Sequence, residues 1–141
     1  VGEEVMRRRK FLQNKLWRDN AIEMMEKSGA VVHWQHLDTN NYEKELRLKL
    51  LEEAKEVETA ITREELCEEL ADVLEVVACL CKSNDISLDD VHKQQNKKRT
   101  ERGGFAGRKY VTVVEHLDNS FWANYCLKDP DKNPEILESV E

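Results

Sequence analysis

A mainly α, helical-bundle fold is predicted by three features of the sequence. Charged residues make up 36% of the 141 positions while glycine and proline number only 5 and 2, a balance that favours helices and leaves few breakers. Apolar residues recur at three- and four-residue steps from Leu46 to Val57 and again from Leu66 to Cys81. Thr62 followed by Glu65 forms a capping box directly ahead of the second stripe. A chain of this length suits one compact domain, which buries about 70% of its unfolded surface and needs no disulfide or zinc staple.

The elements follow in order. After the basic run Arg7-Arg8-Arg9-Lys10, Asp19 and Asn20 offer N-cap oxygens, and Glu23 stands three residues after Asn20, so a short helix is expected to about Ser28, where Gly29 ends it. Ala30 to Leu37 and Lys109 to Val114 lack helical spacing and are rich in β-branched and aromatic residues, so they can pair as a small two-stranded β ribbon. A second helix runs from Tyr42 to Val57 or Glu58, with Leu46, Leu50, Ala54 and Val57 on one stripe. The third begins at the Thr62 cap and carries Leu66, Leu70, Val73, Leu74, Val77 and Cys81 to about Lys82. Ser87 caps a fourth, with Asp90 in its first turn, and Gly103-Gly104 stops it. Beyond Ser120 the pattern fades. The segment with both prolines reads as a tail with one terminal helical turn, giving a domain over 1–120 and a tail extension over 121–141.

The net charge of −7 opposes generic binding to a nucleic-acid backbone, so a phosphate-rich partner needs a locally basic site. No apolar run approaches the roughly 20 residues that span a bilayer, and no secretory leader is visible, so a soluble, cytoplasmic protein without a membrane partner is expected. Cys67, Cys79, Cys81 and Cys126 form no C-x-x-C pair and read as reduced, core or half-buried thiols. His33 and His36 are three apart in an extended stretch and point to opposite faces, which removes them as a metal pair.

Chemistry concentrates in acids. Glu53 and Glu56 on the second helix, and Glu69 and Asp72 on the third, are i, i+3 pairs that each share a helix face, with Glu52 beside the first pair. At about 100° per residue, Glu69 falls between Val76 and Leu80, inside the apolar arc. The short link from Glu58 to Ile61 makes the helices antiparallel neighbours and brings the four acids to one inter-helical face. Crowded carboxylates raise one another's pKa and cost stability unless cations neutralise them. All-oxygen ligation selects hard ions, Mg²⁺ first and Mn²⁺ second, and Mg²⁺ shares its ligands readily with phosphates. The competing reading is an ordinary solvated acidic face.

These residues also carry a family resemblance. Glu52-Glu53-Ala54-Lys55-Glu56 and Glu69-Leu70-Ala71-Asp72 reproduce the EExxE and ExxD motifs of the all-α, MazG-like nucleoside triphosphate pyrophosphohydrolases. The chain most resembles the small house-cleaning, non-canonical NTP pyrophosphatases, with their KLVRD start and RGGF end: it reads Lys15-Leu16-Trp17-Arg18-Asp19 and Arg102-Gly103-Gly104-Phe105. Trp17 stands where that pattern has valine, and the resemblance covers about Asn14 to Val114. It implies Mg²⁺ held by Glu53, Glu56, Glu69 and Asp72, with Glu52 as a further ligand, a supporting residue or the general base. It also implies a MazG-like bundle completed by homo-oligomerisation, a dimer or larger, with active sites near subunit contacts.

The reaction implied is hydrolysis of a nucleoside triphosphate between the α- and β-phosphates to nucleoside monophosphate and pyrophosphate. Glu52 is then the candidate base. Lys98 and Arg102, four apart on the fourth helix, are candidate phosphate contacts, supplemented by Lys15 and Arg18. Cations in a last helical turn also favour its dipole, and Arg18-Asp19 also reads as an ion pair with a helix cap. Trp17, Trp34 and Phe105 are aromatic groups able to stack on a base, though packing suits each as well. Two alternatives remain: phosphoribosyl-ATP pyrophosphohydrolase, disfavoured by the KLWRD and RGGF matches, and a non-catalytic helical oligomerisation or interaction module.

Overall fold

The computed structural model describes residues 7–138 and is mainly helical. Its helices are α1 (Asp19–Lys27), α2 (Thr39–Thr59), α3 (Arg63–Ser83), α4 (Leu88–Arg102) and α5 (Phe121–Leu127). They are distributed over two compact units, Val1–Thr100 and Glu101–Glu141. None of the helices is long and apolar enough to cross a membrane.

The first unit is organised by the antiparallel pair α2 and α3. Asp38 caps α2 by accepting from the Asn41 N–H at 2.8 Å, four residues upstream of the start at Tyr42 that the apolar stripe suggests. Thr62 caps α3 through the Glu65 N–H at 3.1 Å, and Glu65 reaches back to the Ile61 N–H at 3.1 Å. Both sides of the predicted capping box are thus in use, the return arm one residue earlier than the usual pattern. Thr62→Ala should cost about 1 kcal/mol, read as a lower midpoint in a denaturant melt with the slope unchanged.

Two helix ends share one device. After α1, Gly29 (φ +100°) lets Ala30 N–H donate to Met25 O and Gly29 N–H to Glu26 O, both at 3.0 Å, a Schellman closure. After α3, Asp85 takes the same left-handed position at φ +52°, with Ile86 N–H on Cys81 O at 2.8 Å. The far end of the pair is tied by Glu43, which accepts from Ser83 Oγ at 3.2 Å and from Asn84 Nδ2 at 3.0 Å. The Asn84 hydrogen bond, opposed by partial desolvation and helped by Arg47 and Ser83, holds the Glu43 carboxyl below its ordinary range.

Packing departs from the sequence stripes in a specific way. Leu46, Val76 and Cys81 are buried, with Glu53 buried among them on the α2 side. Leu66, Leu70 and Leu74, the outer part of the α3 stripe, are 39%, 47% and 68% exposed, and Leu51 is 67% exposed. The seam of the pair therefore runs along Val76 and Cys81, and the rest of the apolar arc stays uncovered within one chain.

Three expectations need correction. The β ribbon is absent among the described residues: 30–37 and 109–114 are irregular, since strand-favouring side chains form strands only where a partner completes the ladder. The Asn20 capping box does not form, because α1 starts at Asp19 with Arg18 in the N-cap position and no side-chain cap bond. Of the cysteines, Cys67 is exposed, whereas Cys81 is buried and Cys79 and Cys126 lie between.

The second unit holds α5, capped by Ser120 Oγ accepting from the Ala123 N–H at 3.2 Å. Its aromatic residues stack edge-on, Phe121 to Trp122 at 5.0 Å and Trp122 to Tyr125 at 5.6 Å. A turn follows, with Asn133 N–H on Asp129 O at 2.9 Å, and residues 134–138 have no regular structure; the helical turn expected at the very end falls partly outside the described residues.

Candidate metal centre

The hairpin register that sets Glu43 beside Ser83 also brings Glu53 of α2 opposite Glu69 and Asp72 of α3. Each of these three side chains offers a carboxylate oxygen, and those oxygens all lie within 4.8 Å of one another. Glu53 is 8% exposed, while Glu69 and Asp72 are half-buried. Glu56, the fourth acid of the sequence constellation, is exposed and stands outside that group. Its charge still reaches the site. Desolvation first, then the charges of Asp72, Glu56, Glu53 and Glu68, push the Glu69 carboxyl above its ordinary pKa.

Glu52 belongs to a different arrangement. Its Oε1 accepts from Lys15 Nζ at 2.8 Å and its Oε2 from Lys49 Nζ at 3.0 Å. Burial acts to raise its pKa, but the Lys15 and Lys49 hydrogen bonds and charges outweigh burial and hold it ionised below its ordinary range. Lys49 also lies 3.5 Å from Glu53 Oε1 and has a side chain only 18% exposed. Sequence reasoning overlooked Lys49, although its spacing to Glu52 and Glu53, three and four residues along one helix, is the ordinary ion-pair spacing.

The two cations of the KLWRD segment end on acids. Lys15 pairs with Glu52, and Arg18 Nη2 contacts Asp72 Oδ1 at 2.7 Å. The bond to Glu52, against some desolvation, raises the Lys15 pKa, and the bond to Asp72 does the same for Arg18. These contacts span 37 and 54 residues of sequence and were invisible to local spacing. Together with Gln13 and Trp17, these cations and the acids Glu53 and Asp72 line a cleft of about 300 Å³. Lys98 lies on α4, exposed, and does not line this cleft; Arg102 lies in the second unit.

Three oxygen donors with no thiolate or imidazole fit a hard divalent ion, Mg²⁺ or Mn²⁺, better than zinc. The raised Glu69 pKa reflects desolvation first and the neighbouring carboxylates second. A carboxyl whose folded-state pKa lies above its unfolded value opposes folding once ionised: the penalty is absent below the unfolded pKa of about 4.3 and complete above the raised one. In EDTA at pH 7, Glu69→Gln should therefore melt higher than the parent chain, with the difference vanishing below about pH 4. With Mg²⁺ the parent should gain stability and the variant should gain less, as thermal melts at both pH values will show.

Comparison with known proteins agrees with this geometry. Residues 41–104 match the family model described as the MazG nucleotide pyrophosphohydrolase domain. No curated protein and no solved structure matches the chain. The matched segment, a little under half of the chain, contains nearly all of α2, all of α3 and α4, and with them Glu52, Glu53, Glu56, Glu69 and Asp72. Over that segment the chain is similar to the MazG nucleotide pyrophosphohydrolase domain, and the helices α2 to α4 that carry the match agree with an all-α fold.

Proposed function

We propose that this chain hydrolyses nucleoside triphosphates between the α- and β-phosphates in a Mg²⁺-dependent reaction that clears unwanted nucleotides from the pool. The observation that carries the reading is the convergence of the Glu53, Glu69 and Asp72 carboxylates within 4.8 Å, inside the segment that matches the MazG domain. These three residues hold the ion, and Glu56, outside their group, adds its negative charge. Bound there, Mg²⁺ supplies charge neutralisation at the phosphates and Lewis-acid polarisation.

The chain's own groups do the rest. Glu52 is ionised and accepts the proton of the water that attacks the α-phosphorus; the new O–P bond forms as the bond from the α-phosphorus to the bridging oxygen breaks, and pyrophosphate leaves with that electron pair. Lys49 and Lys15 keep the Glu52 carboxylate fixed and unprotonated. Arg18 borders the cleft and, once the ion neutralises Asp72, becomes available to phosphate oxygens; Lys15, kept on Glu52, adds its positive charge to the same cleft, and Lys98 is a further candidate contact. The uncovered apolar face of Leu51, Leu66, Leu70 and Leu74 supports a homo-oligomer, a dimer or larger, that completes the bundle.

The test is release of nucleoside monophosphate and pyrophosphate from a panel of canonical and modified NTPs and dNTPs, with Mg²⁺ and with EDTA, including phosphoribosyl-ATP. Metal-dependent turnover of free nucleotides supports the proposal. Turnover of phosphoribosyl-ATP alone would move the chain to the histidine-pathway reaction, and silence throughout would leave the helical interaction module.

A further inference from the structure

Lys49 is a cation held among acids with little access to water. Its side chain is only 18% exposed, and its Nζ lies 3.0 Å from Glu52 Oε2 and 3.5 Å from Glu53 Oε1. An ammonium group withdrawn from water is costly unless acids pair with it, and here two do. The other oxygen of Glu52, Oε1, accepts from Lys15 Nζ at 2.8 Å. Lysines thus occupy both oxygens of Glu52, and that residue stands outside the group Glu53, Glu69 and Asp72, whose carboxylate oxygens converge within 4.8 Å.

The charge balance gives these lysines a consequence for metal binding. The five acids of the two motifs, Glu52, Glu53, Glu56, Glu69 and Asp72, are met by three cations, Lys15 and Lys49 on the Glu52 side and Arg18 on Asp72. Two negative charges are left over, which one divalent ion cancels. A second ion would enter a group already neutral and would be repelled by Lys49, whose charge is poorly screened because its side chain is mostly buried. Without the two lysines the same acids would leave four negative charges, enough for two ions.

We infer that Lys49, together with Lys15, is a built-in counter-cation that takes the place of a second divalent ion, so that the nucleotide-free chain binds one ion, at Glu53, Glu69 and Asp72, and Glu52 stays clear of metal. The inference rests on the metal-centre reading above and deepens it by fixing the number of ions. Lysine also differs from an exchangeable ion in being tethered to the chain, so Glu52 keeps its partners at any concentration of Mg²⁺. Lys49 and Lys15 act through Glu52 and Glu53 and are positioning residues.

The test is a count of Mn²⁺ ions bound by the full, metal-free chain in the absence of nucleotide, read from the electron paramagnetic resonance of the free ion. The parent should bind one Mn²⁺ per chain. Lys15→Met with Lys49→Met leaves five acids against Arg18 alone and should bind two. Lys49→Met by itself should bind its first ion about tenfold more tightly, because a repelling ammonium group beside a ligand oxygen is gone. Lys49→Arg keeps the charge and should bind one ion, as the parent does. Methionine retains most of the unbranched stem, and circular dichroism verifies that the variants fold. A mere loosening of the α2–α3 pair would weaken Mn²⁺ binding, which is the opposite sign. Two ions on the parent, one ion on the double variant, or a first ion bound no more tightly by Lys49→Met would each overturn the inference. A parent chain that binds no Mn²⁺ would remove the metal centre itself, and this inference with it.

Discussion

Replacing Glu53 with glutamine should abolish most Mg²⁺-dependent pyrophosphate release while leaving the chain folded. Glu53 is the most buried of the three converging acids and the only one contributed by α2, so without it the two remaining oxygens come from one helix. A ligand carboxylate contributes several kcal/mol of charge stabilisation in the transition state; a loss of about 3 kcal/mol lowers kcat/KM roughly 100-fold. The amide is nearly isosteric, so the α2–α3 pair should persist: the repulsion from Glu69 and Asp72 that is relieved is offset by the Lys49 contact that is lost, and the metal-free melting temperature should change little. Steady-state kinetics with Mg²⁺ and melts in EDTA separate the two effects: activity falls as stability holds. A proportional fall of both would point to a structural role for Glu53.

Leu46→Ala carries the largest expected cost to stability. Leu46 is 4% exposed and is the most buried side chain of the helix pair, and it lies between the Glu43 tie at one end and the acid cluster further along α2. Truncating a buried leucine costs about 2–5 kcal/mol, the sum of lost transfer energy and the cavity left behind. With so few buried residues along the seam, the surroundings offer little to refill the space, and about 3 kcal/mol is expected in denaturant melts. Because the same seam fixes the separation of Glu53 from Asp72, the variant should also need more Mg²⁺ for half-maximal activity. Unchanged stability would mean that contacts outside this seam hold the pair together.

Local signals on the long helices were legible in the sequence. The Thr62 and Ser87 caps and the Gly29 and Gly103 stops depend on residues within one or two turns, and each stands where spacing places it. What required the fold was long-range or alternative. Nothing near Arg18 in the sequence announces Asp72, and nothing near Lys15 announces Glu52. Helix α5 escaped notice because its seven residues, aromatic or apolar except Asn124, carry no charged face, so no period marks it, even though Ser120 is an ordinary cap. The ribbon failed for the converse reason: β-favouring residues at 30–37 and 109–114 meet no partner strand among the described residues. At the acid site, wheel geometry correctly turned Glu69 inward, but it could not tell that Glu56 stands outside the cluster or that Lys49 lies against Glu52 and Glu53.

The most direct measurement on the metal centre is Mn²⁺ binding followed by electron paramagnetic resonance of the free ion, for the parent chain and for Glu53→Gln, Glu69→Gln and Asp72→Asn. The expected result is saturable Mn²⁺ binding by the parent, displaced by Mg²⁺, and weakened at least about tenfold in each of the three variants. Equal Mn²⁺ binding by all four proteins would contradict a metal site at Glu53, Glu69 and Asp72.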